Sequence, residues 1–499
     1  MTLTMSDVVA QTLREEGVEV IFGLPGGENV PLVAAIDRAG IRFVLMRHES
    51  RAVWAADAYA RIGRRVGVCL STLGPGAVNL AAGLAHAYLD RSPMVAITAQ
   101  LPDYLLAIHS HQRLNLQQVF SPVTKASLVL DGESDPGELV HRAFSTANQG
   151  RPGPVHLQIS SPFSLEPATL TVQASREIKA KFAHPEIAIA SDESITSDGF
   201  AKTMDMLRHA KRPAVLMGLA LEPTAPYRLV QALVEILQAA AIVTPKAKGA
   251  FPENHPLYAG VIGLERQEPA ADTLRKADLI LGVGFDPVEL MVPWSFEAPF
   301  IYVGSAPNED PEIKAQAQLV GDLRQILSRL LGALHTEPGA QRDNWHSQFY
   351  PYRQAVNPGV SESPVLLPSQ VVRAARELLP EEGIATVDVG AHKLLISKLW
   401  DARCPNRFLL SNGISTMGYA LPAALGAKLA CPDLPVVCFT GDGGMGMVCS
   451  ALETAVRECL PVVVVVLADE AMSLIRLKQL ATGNKLIGTL IGPTDWVKV

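Results

Sequence analysis

Apolar positions along the chain follow two rhythms in alternation. Residues 5–17 read as a helix, with Val8, Val9, Leu13 and Val18 on one stripe. The run Val20-Ile21-Phe22-Gly23 then reads as a strand, and a helix follows over 30–39. The same exchange recurs through strand 43–45, an alanine-rich helix 50–62, strand 66–71, helix 78–89 and strand 94–98. Residues 103–125 read as loop and short helices, and 152–157 as the last strand of this first unit. A second alternation carries strands 213–218, 241–244, 279–284 and 300–304. A third begins near Ser369, with strand 383–390, the stretch 409–418, a helix through Ala430, strand 436–439 and the apolar run 462–467. The stretches 164–195 and 335–367 lack strong periodicity and read as linkers.

This pattern predicts an α/β protein of three doubly wound parallel-sheet domains, over 1–170, 190–335 and 365–499. The run Val462 to Val466 is far too short to span a bilayer and reads as a strand buried on both faces. The N-terminus lacks a basic segment followed by an apolar core, so no signal peptide is expected and the location is read as cytoplasmic. A net charge of -7 argues against a nucleic-acid surface. The 6 cysteines form no C-x-x-C pair, which argues against a zinc site or a disulfide framework.

Candidate chemistry gathers where strands end in glycine turns. Gly441-Asp442-Gly443-Gly444 follows one strand, and Ala468-Asp469 closes the next. The glycines permit a sharp turn and close approach of a ligand to the backbone. A following helix start favours phosphate, and two carboxylates beside phosphate oxygens suit a hard cation such as Mg²⁺. Taken alone, the stretch equally fits an ordinary βαβ unit with a glycine turn and a solvated Asp.

Gly-Asp-Gly followed by Asp469 resembles the thiamine diphosphate motif, and the resemblance extends over nearly the whole chain. Gly23-Leu24-Pro25-Gly26-Gly27, Arg47-His48-Glu49, Gly74-Pro75-Gly76-Ala77-Val78-Asn79, Ser92-Pro93-Met94 and Pro122-Val123-Thr124-Lys125 resemble the pyrimidine-binding domain of thiamine diphosphate-dependent enzymes. Gly249-Ala250-Phe251-Pro252 and Asn254-His255-Pro256-Leu257 resemble the Rossmann-like middle domain. Ser411-Asn412-Gly413, Met417-Gly418 and Leu421-Pro422-Ala423-Ala424 resemble the diphosphate-binding domain. Within the family the chain is similar to acetolactate synthase of the catabolic, FAD-independent type. Gly284-Phe285-Asp286-Pro287-Val288-Glu289, His111-Gln112 and Asp469 in place of the usual Asn carry that likeness. Family chains continue for several elements beyond the position of Val499, so the last domain is expected to be short of its tail.

The resemblance implies thiamine diphosphate and Mg²⁺ as cofactors, without FAD. Glu49 would hydrogen-bond the pyrimidine N1′, with Pro25, Gly26, Gly74 and Asn79 on the same side. Ser415 would offer its main-chain carbonyl to the 4′-amino group, and Met417 would hold the cofactor bent. Gly441, Asp442, Gly443, Gly444 and Met472 would hold the diphosphate end. Asp442 and Asp469, with the Ala471 carbonyl, would bind Mg²⁺. Gln112 and His111 are the candidates for contact with the reacting substrate, and His109 is a weaker one. Phe120 fits either a pocket wall or core packing, and Lys125 either a carboxylate contact or a solvated surface. Lys478 stands where biosynthetic synthases carry a substrate-selecting Trp. The implied reaction is decarboxylation of pyruvate and carboligation to a second 2-oxo acid, giving 2-acetolactate, in a homodimer or homotetramer with sites between subunits. The alternatives are a non-oxidative 2-oxo acid decarboxylase or other carboligase, and a cofactor-binding protein without turnover.

Overall fold

A computed structural model describes residues 3–108, 110–130, 134–160, 165–167, 197–221, 226–265, 268–336, 339, 341–345 and 366–499, and the counts below refer to these. The stretches read as linkers fall largely outside them, as does His109.

Strands β1 (Val20–Gly23), β2 (Arg42–Leu45), β3 (Gly67–Ser71), β4 (Met94–Gln100), β5 (Ala126–Leu130) and β6 (Pro154–Ser160) form a parallel sheet in the order β2-β1-β3-β4-β6-β5. Alternate residues of each inner strand feed opposite cores. Val68, Leu70, Val95 and Ile97 join one apolar cluster, while Cys69, Met94 and Ala96 join the other. The second sheet takes β7 (Pro213–Met217), β8 (Ala240–Val243), β9 (Tyr258–Val261), β10 (Leu279–Val283), β11 (Phe300–Gly304) and β12 (Ala317–Val320) in the order β12-β11-β10-β7-β8-β9. Its strand order reverses between β7 and β10, the place where open α/β sheets leave a crevice. The third sheet is β14-β13-β15-β16, from β13 (Ile384–Val387), β14 (Phe408–Leu410), β15 (Val436–Gly441) and β16 (Val463–Leu467). All three sheets are parallel, so the chain is three α/β units as its periodicity implied.

Four strands have no counterpart in the sequence-based expectation: β5, β9, β12 and β14. Each is three to five residues long and lies at a sheet edge, and half-exposed positions in β5 and β12 blur the apolar run. The run 462–467 is also less buried than expected. Strand β16 lies at the sheet's edge and Val463 is 64% exposed.

One helix pair sets the site's frame. Helix α1 (Met5–Glu15) and α2 (Val30–Arg38) cover the first sheet, followed by α3 (Glu49–Gly63) and α4 (Pro75–Leu89). Helix α3 owes its shape to Ala52, Ala55, Ala56, Ala58 and Ala60, strong helix formers with little bulk. It packs on the alanine-rich helix Ala420–Ala430 of the third unit. A Cβ added at Gly426 would sit 2.0 Å from the Ala55 carbonyl oxygen, so this approach of backbones requires glycine. The first and third units are thereby clamped together within one chain.

Candidate active site

The first half of the site sits at the carboxyl ends of β1, β2 and β3. Strand β2 leads through Met46, Arg47 and His48 into Glu49, the first residue of α3. The His48 ring accepts the Ser50 N–H and so caps that helix. Glu49 is buried at the start of α3, and its Oε2 accepts the Asn79 side-chain amide at 3.0 Å. Its Oε1 lies 3.2 Å from where a Cβ on Gly76 would sit. Gly74 takes φ 59°, a backbone that glycine adopts without strain, to open α4. A Cβ there would lie 3.1 Å from the Gln112 side chain, so Gln112 packs directly on this turn. Gly26 abuts Thr72, and its N–H donates to Asn29 Oδ1 at 2.9 Å. Pro25 is exposed at the tip of that turn, and His111 is exposed beside Gln112.

The second half is a cavity of about 740 Å³ at the carboxyl edge of the third sheet. Ser415, Met417, Gly441, Asp442, Gly443, Gly444, Asp469, Ala471 and Met472 all line it, so tertiary folding brings together residues from three separate turns. Asp442 Oδ1 accepts the Gly443 N–H at 2.8 Å, and its Oδ2 accepts the Glu470 N–H at 2.7 Å. The second link spans 28 residues and ties the glycine turn to the end of β16. Segment 470–472 is held in turn by residues 489–491: Met472 N–H donates to Thr489 O at 2.7 Å, and Ile491 N–H to Glu470 O at 2.8 Å. Asp469 is exposed, and its Oδ2 accepts the Ser473 hydroxyl. A Cβ on Gly443 would lie 3.0 Å from Met472 Sδ and 3.4 Å from Met417 Cε, so the two methionines flank the turn.

Two residues of this half went unremarked in the sequence. Asp388 ends β13 and accepts N–H groups of Val389 and Gly418 at 2.8 Å, and the Thr440 hydroxyl at 2.8 Å. Burial raises its carboxyl to about 6, against the pull of those donors. It staples the loop of Met417 to the glycine turn. The available signal was its place at a strand's carboxyl end, shared with Asp442 and Asp469. His392 lines the cavity beside Gly441, and burial pushes its imidazole down to about 4. Its Nε2 is buried without a hydrogen-bond partner among the described residues. Its other ring nitrogen donates to the Asp388 main chain, so Nε2 of the neutral ring carries a lone pair and donates to an anionic oxygen in the cavity only as the imidazolium, a form such an anion favours.

The donor set suits a shared cation better than an all-protein cage. No group of three or more His, Cys, Asp or Glu able to hold a metal occurs among the described residues. Two carboxylates and the Ala471 carbonyl leave the remaining oxygens of a six-coordinate Mg²⁺ to come from ligand and water.

Phe120 takes its packing reading, whereas Lys125 is neither a carboxylate contact nor a solvated surface group among the described residues. Phe120 is fully buried and stacks on His156 at 3.9 Å between ring centroids. Lys125 donates to the carbonyls of Thr146 and Gln149. Lys478 is exposed on helix Ser473–Ala481.

Behind both halves lies a buried polar junction built by all three units. Asp57 is fully buried and bonds Arg61, Ser92, His86 and the Tyr419 hydroxyl. Asp90 accepts Lys246 Nζ at 2.6 Å and the N–H groups of Gly413 at 2.6 Å and Asn412 at 3.3 Å. Burial works to raise the Asp90 carboxyl, yet Lys246, His86 and Arg61 together hold it at about 2. The loop that carries Ser415 is thus fixed from outside its own unit.

Comparison with known proteins accounts for this arrangement. The N-terminal thiamine pyrophosphate-binding domain of thiamine pyrophosphate enzymes matches residues 3–119. The central domain of the same enzymes matches 200–330, and the C-terminal binding domain matches 388–499. A probable acetolactate synthase large subunit of Methanocaldococcus jannaschii is 30% identical over 99% of this chain and 85% of its own length. The chain belongs to the thiamine pyrophosphate enzyme family. Acetolactate synthase large subunits of Escherichia coli (isozyme 3) and Parasynechococcus marenigrum are 31% and 32% identical, each over 95% of this chain and 83% and 78% of their own lengths. It is a thiamine pyrophosphate-dependent enzyme. Among the described residues, none of the N-terminal unit lines the cavity at Gly441 to Asp469. No helix among the described residues is long and apolar enough to cross a membrane.

Proposed function

We propose that this enzyme uses thiamine diphosphate and Mg²⁺ to decarboxylate pyruvate and join the resulting two-carbon unit to a second 2-oxo acid, giving 2-acetolactate. The observation that carries the reading is the gathering of Ser415, Met417, residues 441–444 and Asp469 on one cavity in a chain whose relatives bear the acetolactate synthase name.

Each residue then has a physical task. Asp442, Asp469 and the Ala471 carbonyl hold Mg²⁺, and His392 faces the diphosphate with Nε2, which donates once the anion draws a second proton onto the ring. Met417 and Met472 wall the glycine turn with polarizable, adaptable surface. Glu49 holds a proton at the pyrimidine N1′, with Asn79 fixing its second oxygen. Pro25, Gly26 and Gly74 line the approach, and Gln112, with His111 beside it, meets the substrate carbonyl. When bound, thiamine diphosphate supplies the electron sink that makes loss of carbon dioxide possible. The protein must also keep water from the two-carbon unit, because its protonation would release acetaldehyde.

Glu49 and the Asp442 cavity then come from different copies in a homodimer or homotetramer. Support comes from the lining of the Asp442 cavity, which includes no described residue of the N-terminal unit. The domain limits 1–170, 190–335 and 365–499 follow the three sheets. The middle unit works without FAD. What supports this is the buried Glu289 carboxyl, which accepts the Leu219 N–H at 2.8 Å and the Thr244 hydroxyl at 2.5 Å in the crevice where the strand order reverses. A Cβ on Gly218 would lie 2.6 Å from it, so the chain's own carboxyl fills the space where a dinucleotide's phosphates approach.

The deciding experiment is incubation with pyruvate, thiamine diphosphate and Mg²⁺, with product identification. The expected product is acetolactate, detected as acetoin after acid treatment. Acetaldehyde as the main product would overturn carboligation in favour of simple decarboxylation.

A further inference from the structure

Lys393 is an unusual cation. It is 1% exposed and lies on helix Ala391–Leu399, one residue after His392. Burying an ammonium is costly unless its donors are satisfied. Here Nζ donates to Ser411 O at 2.8 Å and Asn412 Oδ1 at 2.9 Å, and lies 3.4 Å from Ser415 Oγ. Three N–H donors thus meet three oxygens of one short loop. No carboxylate is among its hydrogen-bond partners, and burial pushes the ammonium down to about 8, with the Asp90 charge raising it and Lys246 lowering it.

The loop it holds is strained at one point. Ser415 takes φ 52°, a left-handed conformation that is unfavourable for L-residues with a side chain. Its own hydroxyl donates to Asn412 O at 2.9 Å, closing the turn locally. Ser411 is tied to His86 and to the Thr416 N–H, and the Asn412 amide donates to Glu289 O at 2.7 Å. Asp90 takes the two N–H groups between. Lys393 is the element that connects both ends of this loop, Ser411 and Ser415, to the helix bordering the cavity.

We propose that Lys393 is a positioning residue whose ammonium holds the left-handed turn at Ser415, and so sets the main-chain carbonyl assigned above to the cofactor's 4′-amino group. The inference rests on the proposed function. It separates two properties of the site. The diphosphate end is held by residues 441–444, Asp469 and His392, none of which bonds Lys393. Cofactor affinity should therefore survive loss of the ammonium, while the orientation of the amino group should not.

The test is deuterium exchange of the C2 proton of thiamine diphosphate bound with Mg²⁺, followed by NMR beside titrations of cofactor affinity. Measurements are made on samples shown by circular dichroism to be folded. Wild-type protein should accelerate exchange strongly over free cofactor. Lys393→Met should slow it at least tenfold, with the dissociation constant changed less than threefold. Lys393→Gln, which keeps N–H donors, should recover part of the rate. If Lys393→Met does not fold, Ser415→Ala, which removes only the hydroxyl beside the ammonium, should slow exchange at least threefold. Wild-type exchange rates in a folded Lys393→Met, or in Ser415→Ala where that variant does not fold, would overturn the positioning role. So would a loss of affinity as large as the loss of exchange. Absence of accelerated exchange in the wild type would overturn the proposed function itself, and this inference with it.

Discussion

The Asn79 side-chain amide engages one oxygen of Glu49 and leaves the other beside the bare Cα of Gly76. The carboxyl is therefore fixed in direction while one oxygen keeps open space. Glu49→Gln should lower kcat roughly 100- to 10,000-fold, the usual worth of a positioned proton-transfer group. Cofactor affinity should fall far less. Steady-state kinetics and cofactor titration of the purified variant check this, and unchanged kcat would remove Glu49 from the mechanism.

A site shared between copies has a quantitative signature. Glu49→Gln and Asp469→Ala each disable one half. Unfolding and refolding the two inactive variants together should restore roughly a quarter of wild-type activity, because half the dimers are mixed and each carries one intact site. Mixtures as inactive as their components would place both halves in one chain.

The two carboxylates at the cavity should differ in their effect on stability. Asp442 accepts two backbone N–H groups that link the glycine turn to residue 470, whereas Asp469 is exposed and bonds only Ser473. Asp442→Ala should cost about 1–3 kcal/mol in unfolding free energy, from orphaned backbone donors. Asp469→Ala should stay within about 0.5 kcal/mol. Both should weaken Mg²⁺-dependent cofactor binding at least tenfold, an estimate based on how metal sites respond to lost ligands. Denaturant melts without cofactor separate the two effects.

Acid should loosen the three-unit junction. The folded Asp90 carboxyl titrates at about 2, below its ordinary 3.8, so its ionised form favours the folded state. That contribution is complete above about pH 4 and is lost as pH falls towards 2. Asp90→Asn should flatten the stability profile in this window. It should also destabilise the protein at neutral pH by about 3–5 kcal/mol, since Lys246 stays buried without its partner.

Glu289 has the opposite sign. Burial raises its carboxyl to about 8, above the ordinary 4.5, despite the donors from Thr244 and Leu219. Between those values the unfolded chain loses the proton first, so stability falls as pH rises from about 4.5 to 8. Glu289→Gln should remove that slope while keeping the shape of the crevice. Melts across the window would show it, and an unchanged slope would assign the titration elsewhere.

Much of the candidate site was readable before folding because its glycines and carboxylates sit at strand ends, where local pattern marks a turn. Gly74, Gly441 and Asp442 announce themselves in this way. His392 and Asp388 did not, since each lies in or beside an element whose apolar pattern dominates. Lys393 was still less visible. A lysine in an amphipathic helix reads as solvated, and only the loop folded over it makes it a buried donor. The edge strands β5 and β12 were missed for a related reason, since a strand covered on one side alone carries half the apolar signal.

The sequence by itself determined three parallel α/β units in order, and the turns from which ligand-binding groups project. Those are consequences of local periodicity and of glycine's freedom, and they need no partner. The packing of the units decided which turns share a cavity, that Glu49 is not in the lining of the Asp442 cavity, and that Asp57, Asp90 and Lys393 are buried. Burial and convergence depend on how units pack against each other, and residues far apart in the chain carry no local mark of meeting.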